Sequence, residues 1–341
     1  MQASDLLLPQ PSGLYCPPAD LYIDPLRPVE RALITHGHSD HARAGHGSVL
    51  ATRETLEIMA IRYGLNFAGT SQIANLGEKI DINGVAFTFF PAGHVLGSAQ
   101  IAIEWKGFKI VVSGDYKRTV DPTCAPFEPQ RCDIFITEAT FGLPVFTHPN
   151  PSREMDKLIQ SIALFPDRAH LVGAYSLGKA QRVIALIRGC GYDAPILLHG
   201  ALEKLTAYYA HQGIDLGRIG TLSDTPKEQW RGAVILCPPG AMKDIWARKL
   251  PDPVHCLASG WMRIRARARQ SGVELPLVVS DHADWPELQQ TILDTRAAEI
   301  WVTHGQEDAL VHWCKSQGLQ AKPLHLVGYD DGGYSEGTVM P

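Results

Sequence analysis

The sequence has no apolar run near the ~18 residues that a membrane-spanning helix needs, so no membrane association is expected. The first residues, Met1-Gln2-Ala3-Ser4-Asp5, lack the basic flank and long apolar stretch of a secretory signal. No two cysteines stand at C-x-x-C spacing, and the total of 7 (Cys16, Cys124, Cys132, Cys190, Cys237, Cys256, Cys314) is odd. Reduced thiols in a cytoplasmic protein are the expectation. Positive charge is not in excess: the formal net charge is -5, which disfavours a general nucleic-acid coat protein but leaves room for an enzyme with a local basic groove. Internal repeats are missing, and so are low-complexity tracts before 328–341, which reads as a loose tail. What is left is ordinary globular composition, 45% hydrophobic and 20% charged over 341 residues. At roughly 150 residues per domain, that length fits two domains or one with a large insertion. Such a chain buries a sizeable core unaided, so a bound metal is expected to be catalytic.

After a Pro-rich lead-in over Pro9–Pro18, one pattern recurs. A short run rich in β-branched residues leads into an ionisable side chain. Leu21-Tyr22-Ile23 leads to Asp24, and Ala32-Leu33-Ile34-Thr35 to His36. Val85 to Phe90 leads through Pro91-Ala92-Gly93 to His94, and Ile110 to Gly114 leads to Asp115. Ile134 to Thr137 leads to Glu138, Leu277 to Ser280 to Asp281-His282, and Ile300 to Thr303 to His304. Such runs predict buried strands. Strand ends share a sheet edge, so these endings predict one polyvalent site there.

The middle of the chain alternates strand and helix instead. His170–Gly173, Pro195–Leu198 and Ala233–Leu236 read as strands, and Gly178–Arg188 as an amphipathic helix. This predicts a small parallel α/β unit inserted into an outer domain. The expected division is 1–150 for the first part of the outer domain and 151–274 for the insertion. The outer domain then resumes over 275–327, followed by a tail at 328–341.

Thr35-His36-Gly37-His38-Ser39-Asp40-His41 places three imidazoles and a carboxylate within six residues. All four cannot comfortably reach one ion. His36 and His38, two apart in an extended segment, face one way; Asp40 and His41, entering a helix start, face the other. The spacing suits two adjacent divalent ions. Imidazole with carboxylate favours zinc, with manganese or iron as alternatives.

Three later segments extend the motif: Ala92-Gly93-His94, Ser113-Gly114-Asp115 and Thr303-His304-Gly305. In this order they resemble the metallo-β-lactamase superfamily, whose fold is a four-layer αββα sandwich. The resemblance implies one metal held by His36, His38 and His94, a second held by Asp40, His41 and His304, and Asp115 bridging them. Asp24 matches an acidic residue that orients a ligand histidine from behind. No cysteine sits in a ligand position, and the insertion has no place in a lactamase.

Further segments resemble the β-CASP nuclease branch. They are Glu138 in Thr137-Glu138-Ala139-Thr140, the helix start Tyr175 to Arg182, and Ser280-Asp281-His282-Ala283-Asp284. The resemblance implies an α/β fold with an inserted small parallel α/β (β-CASP) domain, in which His282 protonates a leaving oxygen and Glu138 orients it. With Asp40, these two are the expected catalytic residues. Compact length and Ser259-Gly260-Trp261 look most like bacterial DNA-ligase-associated exonucleases. That implies DNA as the substrate, in repair, alongside a ligase and a helicase. His304 points the other way, since histidine there is typical of RNA-processing members. A ribonuclease is therefore the alternative, and a non-catalytic scaffold a third.

Substrate contacts are expected in the insertion. Gly173 to Lys179 has GxxxxGK spacing, but Ala180 follows where Ser or Thr would hold magnesium, so nucleotide hydrolysis is not expected. Ser176, Lys179 and Arg182 at the helix start are instead candidates for a substrate phosphate. Trp261, Arg263 and Arg265 lie in a stretch alternating basic and apolar residues that suits a groove tracking a nucleic-acid backbone.

Overall fold

A computed structural model describes residues 3–250 and 252–324 of the chain. The expected tail at 328–341 lies outside the described residues. The chain divides into two units, one formed by the described residues of Met1–Phe146 and His282–Gly333, the other by those of Thr147–Asp281.

The first unit is built on two six- and seven-stranded sheets. Period-2 alternation explains how they stack. Ile110 and Val112 share one cluster with Ile134, Ile136 and Trp301, while the intervening Val111, Phe135, Ile300 and Val302 share another. In the six-stranded sheet, Leu33 and Leu50 join the first cluster, whereas Ala32, Ile34, Val49 and Ala51 face a third. The first cluster is thus sheet against sheet. The third packs on Leu56 and Met59 of the helix Arg53–Tyr63. The second packs on the helices Trp285–Thr295 and Glu307–Ser316, through Leu288, Ile292, Leu310 and Cys314. The order helix, sheet, sheet, helix is the expected four-layer α/β sandwich.

The lead-in differs from expectation. Leu8–Gln10 and Gly13–Cys16 form an antiparallel hairpin at the edge of the six-stranded sheet. Pro9 is tolerated there because an edge strand leaves one set of backbone N–H groups unpaired anyway.

The second unit holds a six-stranded sheet in which every neighbouring pair of strands is parallel. His170–Gly173, Ile196–Leu198 and Val234–Cys237 are buried at every position, as strands covered on both faces must be. Leu275–Leu277 is the edge strand of this sheet, paired with Val254–Ala258. The sequence reading set the return to the outer domain at 275. The chain instead leaves this unit after Asp281, because the run Leu275–Leu277 completes the parallel sheet rather than starting a new one.

Among the described residues no helix is long and apolar enough to cross a membrane. Phe87 is fully buried between the two sheets of the first unit. Phe87→Ala should lower stability by about 3–5 kcal/mol, read as a fall in the urea midpoint.

Candidate metal centre

The site is assembled where strands of both sheets of the first unit end. Asp24 follows Leu21–Ile23, and Thr35 and His36 follow Arg31–Leu33. Asp115 follows Phe108–Val112, and His94 follows Val85–Pro91 across a glycine turn. Gly93 has a positive φ of 72, and a Cβ there would lie 2.2 Å from the Lys117 carbonyl oxygen. Glu138 and His304 lie within paired strands at a register shift. Thr303 pairs with Glu138 and Gly305 with Ala139, so His304 is the extra residue of a bulge, at φ 55. A histidine held in the left-handed region costs backbone energy, and such strain concentrates at functional positions.

Asp24 organises the first motif. It is 4% exposed, and its own φ is 44. Its carboxylate accepts from Thr35 N at 2.8 Å and from Thr35 Oγ1 at 2.6 Å. It also lies 2.8 Å from His41 Nδ1. A carboxylate only accepts, so His41 is protonated at Nδ1 and turns Nε2 towards the centre. Thr35 has spent its hydroxyl proton on Asp24. It must therefore accept from His36 Nδ1, 3.0 Å away, which fixes the His36 tautomer with its lone pair on Nε2.

Three ring nitrogens face one carboxylate oxygen. Asp115 Oδ2 is 3.4 Å from His36 Nε2, 3.5 Å from His41 Nε2 and 3.7 Å from His94 Nε2. His94 Nε2 and His38 Nδ1 are 2.9 Å apart. One ligand atom from each of His36, His38, His94 and Asp115 lies within 4.8 Å of the others. The His304 ring stacks on His41 at 5.1 Å, and Asp40 Oδ2 lies 3.8 Å from His41 Nε2. Asp40 is the most open of these, with its side chain 47% exposed.

Burial, then the charge on His41, drives His36 and His304 down to about 4. Burial, then His282, holds His94 well below the ordinary imidazole value. For His41, burial pulls the same way, but Asp115, Asp40 and Asp24 outweigh it and lift it to about 10. Burial alone would raise Asp115, yet His41 and His282 hold it well below the usual carboxylate range. Without metal, the centre therefore concentrates its proton on His41 and keeps His36, His94 and His304 in the neutral form that binds metal. His36 Nε2 is buried without a hydrogen-bond partner and faces the ligand cluster. Donor set, tautomers and that orphaned nitrogen fit divalent ions with imidazole–carboxylate ligation.

Beside the ligands, His282 Nδ1 lies 2.9 Å from Glu138 Oε2 and 3.9 Å from Asp115 Oδ2. Glu138 is 1% exposed, and its other oxygen accepts from Tyr116 N at 2.8 Å. Burial raises the Glu138 carboxyl against the pull of His282. The carboxylate orients the imidazole, with Nδ1 turned towards Glu138.

The expected substrate contacts fare differently. All lie in the second unit. Lys179 and Arg182 are 3% and 4% exposed. Lys179 Nζ donates to Asp281 Oδ1 at 2.5 Å, and Arg182 donates to the Ser280 carbonyl at 2.5 Å. Their charges hold the Ser280-Asp281 segment, because a buried cation needs a local partner. Ser176 is half-buried, and its carbonyl accepts from Gln181. Trp261 is half-buried against an apolar cluster, and the Arg267 guanidinium covers its ring at 3.9 Å. Arg263 and Arg265 are exposed. Sequence reasoning missed Thr35, whose hydroxyl links Asp24 to His36. The signal was its place between a strand and the first ligand. It also missed Tyr116, whose backbone leaves no side-chain signature.

Asp24→Asn should leave the sandwich folded but weaken divalent-metal binding about 10–100-fold, since the amide cannot accept from every donor now facing it. Calorimetric titration of zinc into metal-free protein measures this, and unchanged affinity would refute the role.

No family model matches the chain. It is 25% identical over 315 residues, 91% of its length, to a probable DNA ligase of Opitutus terrae. It is 37% identical over 115 residues, 32% of its length, to endoribonuclease YSH1 of Kluyveromyces lactis. The matched stretches span 30% and 15% of those proteins, so the chain is similar to a minor part of each. A crystal structure of a protein of unknown function from Enterococcus faecalis V583 aligns over 80% of this chain and 74% of that one. Its TM-score is 0.54 at 12% identity, a likeness of fold.

Proposed function

We propose that the chain is a metallo-β-lactamase/β-CASP nuclease, a metal-dependent phosphodiesterase of nucleic acid acting on DNA as an exonuclease in repair. The observation that carries this reading is the His282–Glu138 pair standing beside the Asp115-centred ligand cluster. Hydrolysis of a phosphodiester needs a nucleophile, charge stabilisation and a proton for the departing alkoxide, and this site offers all three kinds of group.

His36, His38 and His94 would hold one ion, and Asp40, His41 and His304 the other, with Asp115 shared. Zinc suits these donors and manganese is the alternative. Bound divalent ions supply hydroxide near neutral pH and offset charge on the phosphoryl oxygens. Asp24 and Thr35 keep His41 and His36 in the tautomers that ligation requires. Asp40, the open carboxylate, faces the position where water enters. His282, turned by Glu138, hands its Nε2 proton to the leaving oxygen. In the second unit the exposed Arg263 and Arg265 would follow the backbone phosphates by charge. Trp261 would stack on a base beside them, and Ser176, Lys179 and Arg182 at the helix start would bear on a substrate phosphate.

DNA is favoured because the similarity to a probable DNA ligase extends over 91% of this chain. A segment of this kind joined to a ligase argues for end processing before strand joining. Functional association with a ligase, and with a helicase to open the duplex, follows from that reading. The second reading, a ribonuclease, is favoured by the similarity to an endoribonuclease over 115 residues.

End-labelled single- and double-stranded DNA, with and without a 5′-phosphate, should be digested from an end, and matched RNA left largely intact. Robust RNA cleavage with inert DNA would replace the first reading by the second. His282→Ala should retain its metal yet cut DNA about 10²–10⁴-fold more slowly. A 4-nitrophenyl phosphodiester, whose leaving group departs unprotonated, should suffer much less. Equal losses on both substrates would refute the proton-donor role.

A further inference from the structure

Four segments of the first unit that bear on the centre meet at one short loop, Tyr116-Lys117-Arg118-Thr119. The loop directly follows Asp115. Tyr116 N donates to Glu138 Oε1 at 2.8 Å, and the Tyr116 carbonyl accepts from Ala283 N at 2.6 Å, next to His282. Lys117 N donates to the Ala92 carbonyl at 3.0 Å, and the Lys117 carbonyl packs on Gly93, next to His94. A displacement of this loop would move Asp115, His94, Glu138 and His282 together.

One side chain fastens it. Glu287, in the first turn of the helix Trp285–Thr295, accepts from Lys117 Nζ at 2.5 Å, from Thr119 N at 2.8 Å and from Thr119 Oγ1 at 2.7 Å. It also accepts from Asp284 N at 3.1 Å, while Asp284 accepts from Glu287 N at 3.1 Å. This reciprocal capping box fixes the start of the helix just after His282. The Lys117 and Glu287 side chains are 6% and 16% exposed, so neither charge is answered by bulk water. A second tie, Arg118 to Asp294 at 2.7 Å, binds the loop to the same helix.

We propose that Glu287, paired with Lys117, is a positioning residue that keeps the shared ligand Asp115 and the proton donor His282 in register. It touches neither metal nor substrate. It acts by fixing the loop on which both depend, and it couples the helix after His282 to the strand end that bears Asp115. The part concerning His282 rests on the function proposed above; the part concerning Asp115 rests on the ligand geometry alone.

The test uses the full chain carrying Glu287→Gln, which keeps length and an acceptor for Thr119 but removes the charge facing Lys117. Lys117→Met breaks the same pair from the other side. Lys117→Arg restores the cation and should recover most of the effect. Cobalt(II) titration of the metal-free protein reports the centre without any turnover. Glu287→Gln and Lys117→Met should each bind cobalt about 10–100-fold more weakly, with an altered visible spectrum. On end-labelled DNA at saturating metal, kcat should fall at least about 10-fold with KM within about 2-fold, as expected when only the reacting groups move. A variant with wild-type cobalt affinity, spectrum and kcat, whatever its thermal midpoint, would overturn the proposal and leave the pair a stability feature. Should Glu287→Gln fail to fold, Thr119→Val removes one donor to the same carboxylate and must shift the cobalt spectrum in the same direction; an unchanged spectrum sinks the proposal. If the wild-type chain cleaves neither DNA nor RNA, the nuclease reading falls, and the cobalt titration still decides the positioning role.

Discussion

Everything at this site depends on one carboxylate oxygen, Asp115 Oδ2, set among four imidazole nitrogens at 3.4 to 3.9 Å. Imidazoles crowded this closely in a buried pocket are unfavourable on their own. Each is desolvated, and any that protonates raises the cost for the next. Asp115 lowers that cost by offering one negative charge to all of them. Asp24 adds a second from behind His41. The arrangement pushes the resting proton onto His41 and leaves His36 and His304 neutral, which is the state a metal needs. A protein of this length needs no metal to build its core. A buried set of donors that cannot all be satisfied by one another is therefore explained by ligation rather than by stability.

The fold serves this constraint by bringing chain ends from two sheets to one rim. The ligands come from residues 36 to 304, and no local structure spans that distance. Stacking the sheets through Leu33, Ile110, Ile134 and Trp301 does so, because the strands of Leu33 and Ile110 end shortly before His36 and Asp115, and those of Ile134 and Trp301 carry Glu138 and His304 near their ends. Alternation then spends the outward positions on helices, which close the sandwich without covering the rim. At His304, a candidate ligand, regular pairing is interrupted by a bulge. The extra residue there takes a positive φ.

This architecture was legible to the extent that it was local. Runs such as Ile110-Val111-Val112 announce strands by composition, and six residues around His36 announce metal by spacing. The sandwich itself, and the roles of His94 and Asp115, came from the order of motifs. Two kinds of feature stayed hidden. Leu275–Leu277 has the composition of any buried strand, and nothing in it says which sheet it joins; only pairing with Val254–Ala258 assigns it. Lys179 and Arg182 at a helix start look equally suited to a substrate phosphate and to an internal anion. Asp281, beyond reach in sequence, is the anion that Lys179 meets, at 2.5 Å.

The same distinction bears on how chemistry is divided between side chain and backbone. His282 is held by Glu138 through its ring and by Tyr116 through the peptide that follows it. The first contact is readable as a pair of motifs. The second is not, because a carbonyl acceptor has no residue type. Yet the backbone contact is what makes the imidazole's place depend on the loop after Asp115, and thus on the cation–carboxylate pair Lys117–Glu287. In the reaction proposed above, a proton donor must arrive at the leaving oxygen at the moment the ligands stabilise the opposite side of the phosphorus, so the two have to share a frame. On the positioning role proposed for Glu287, that frame is four residues long, and a buried ion pair holds it rather than any group that reacts.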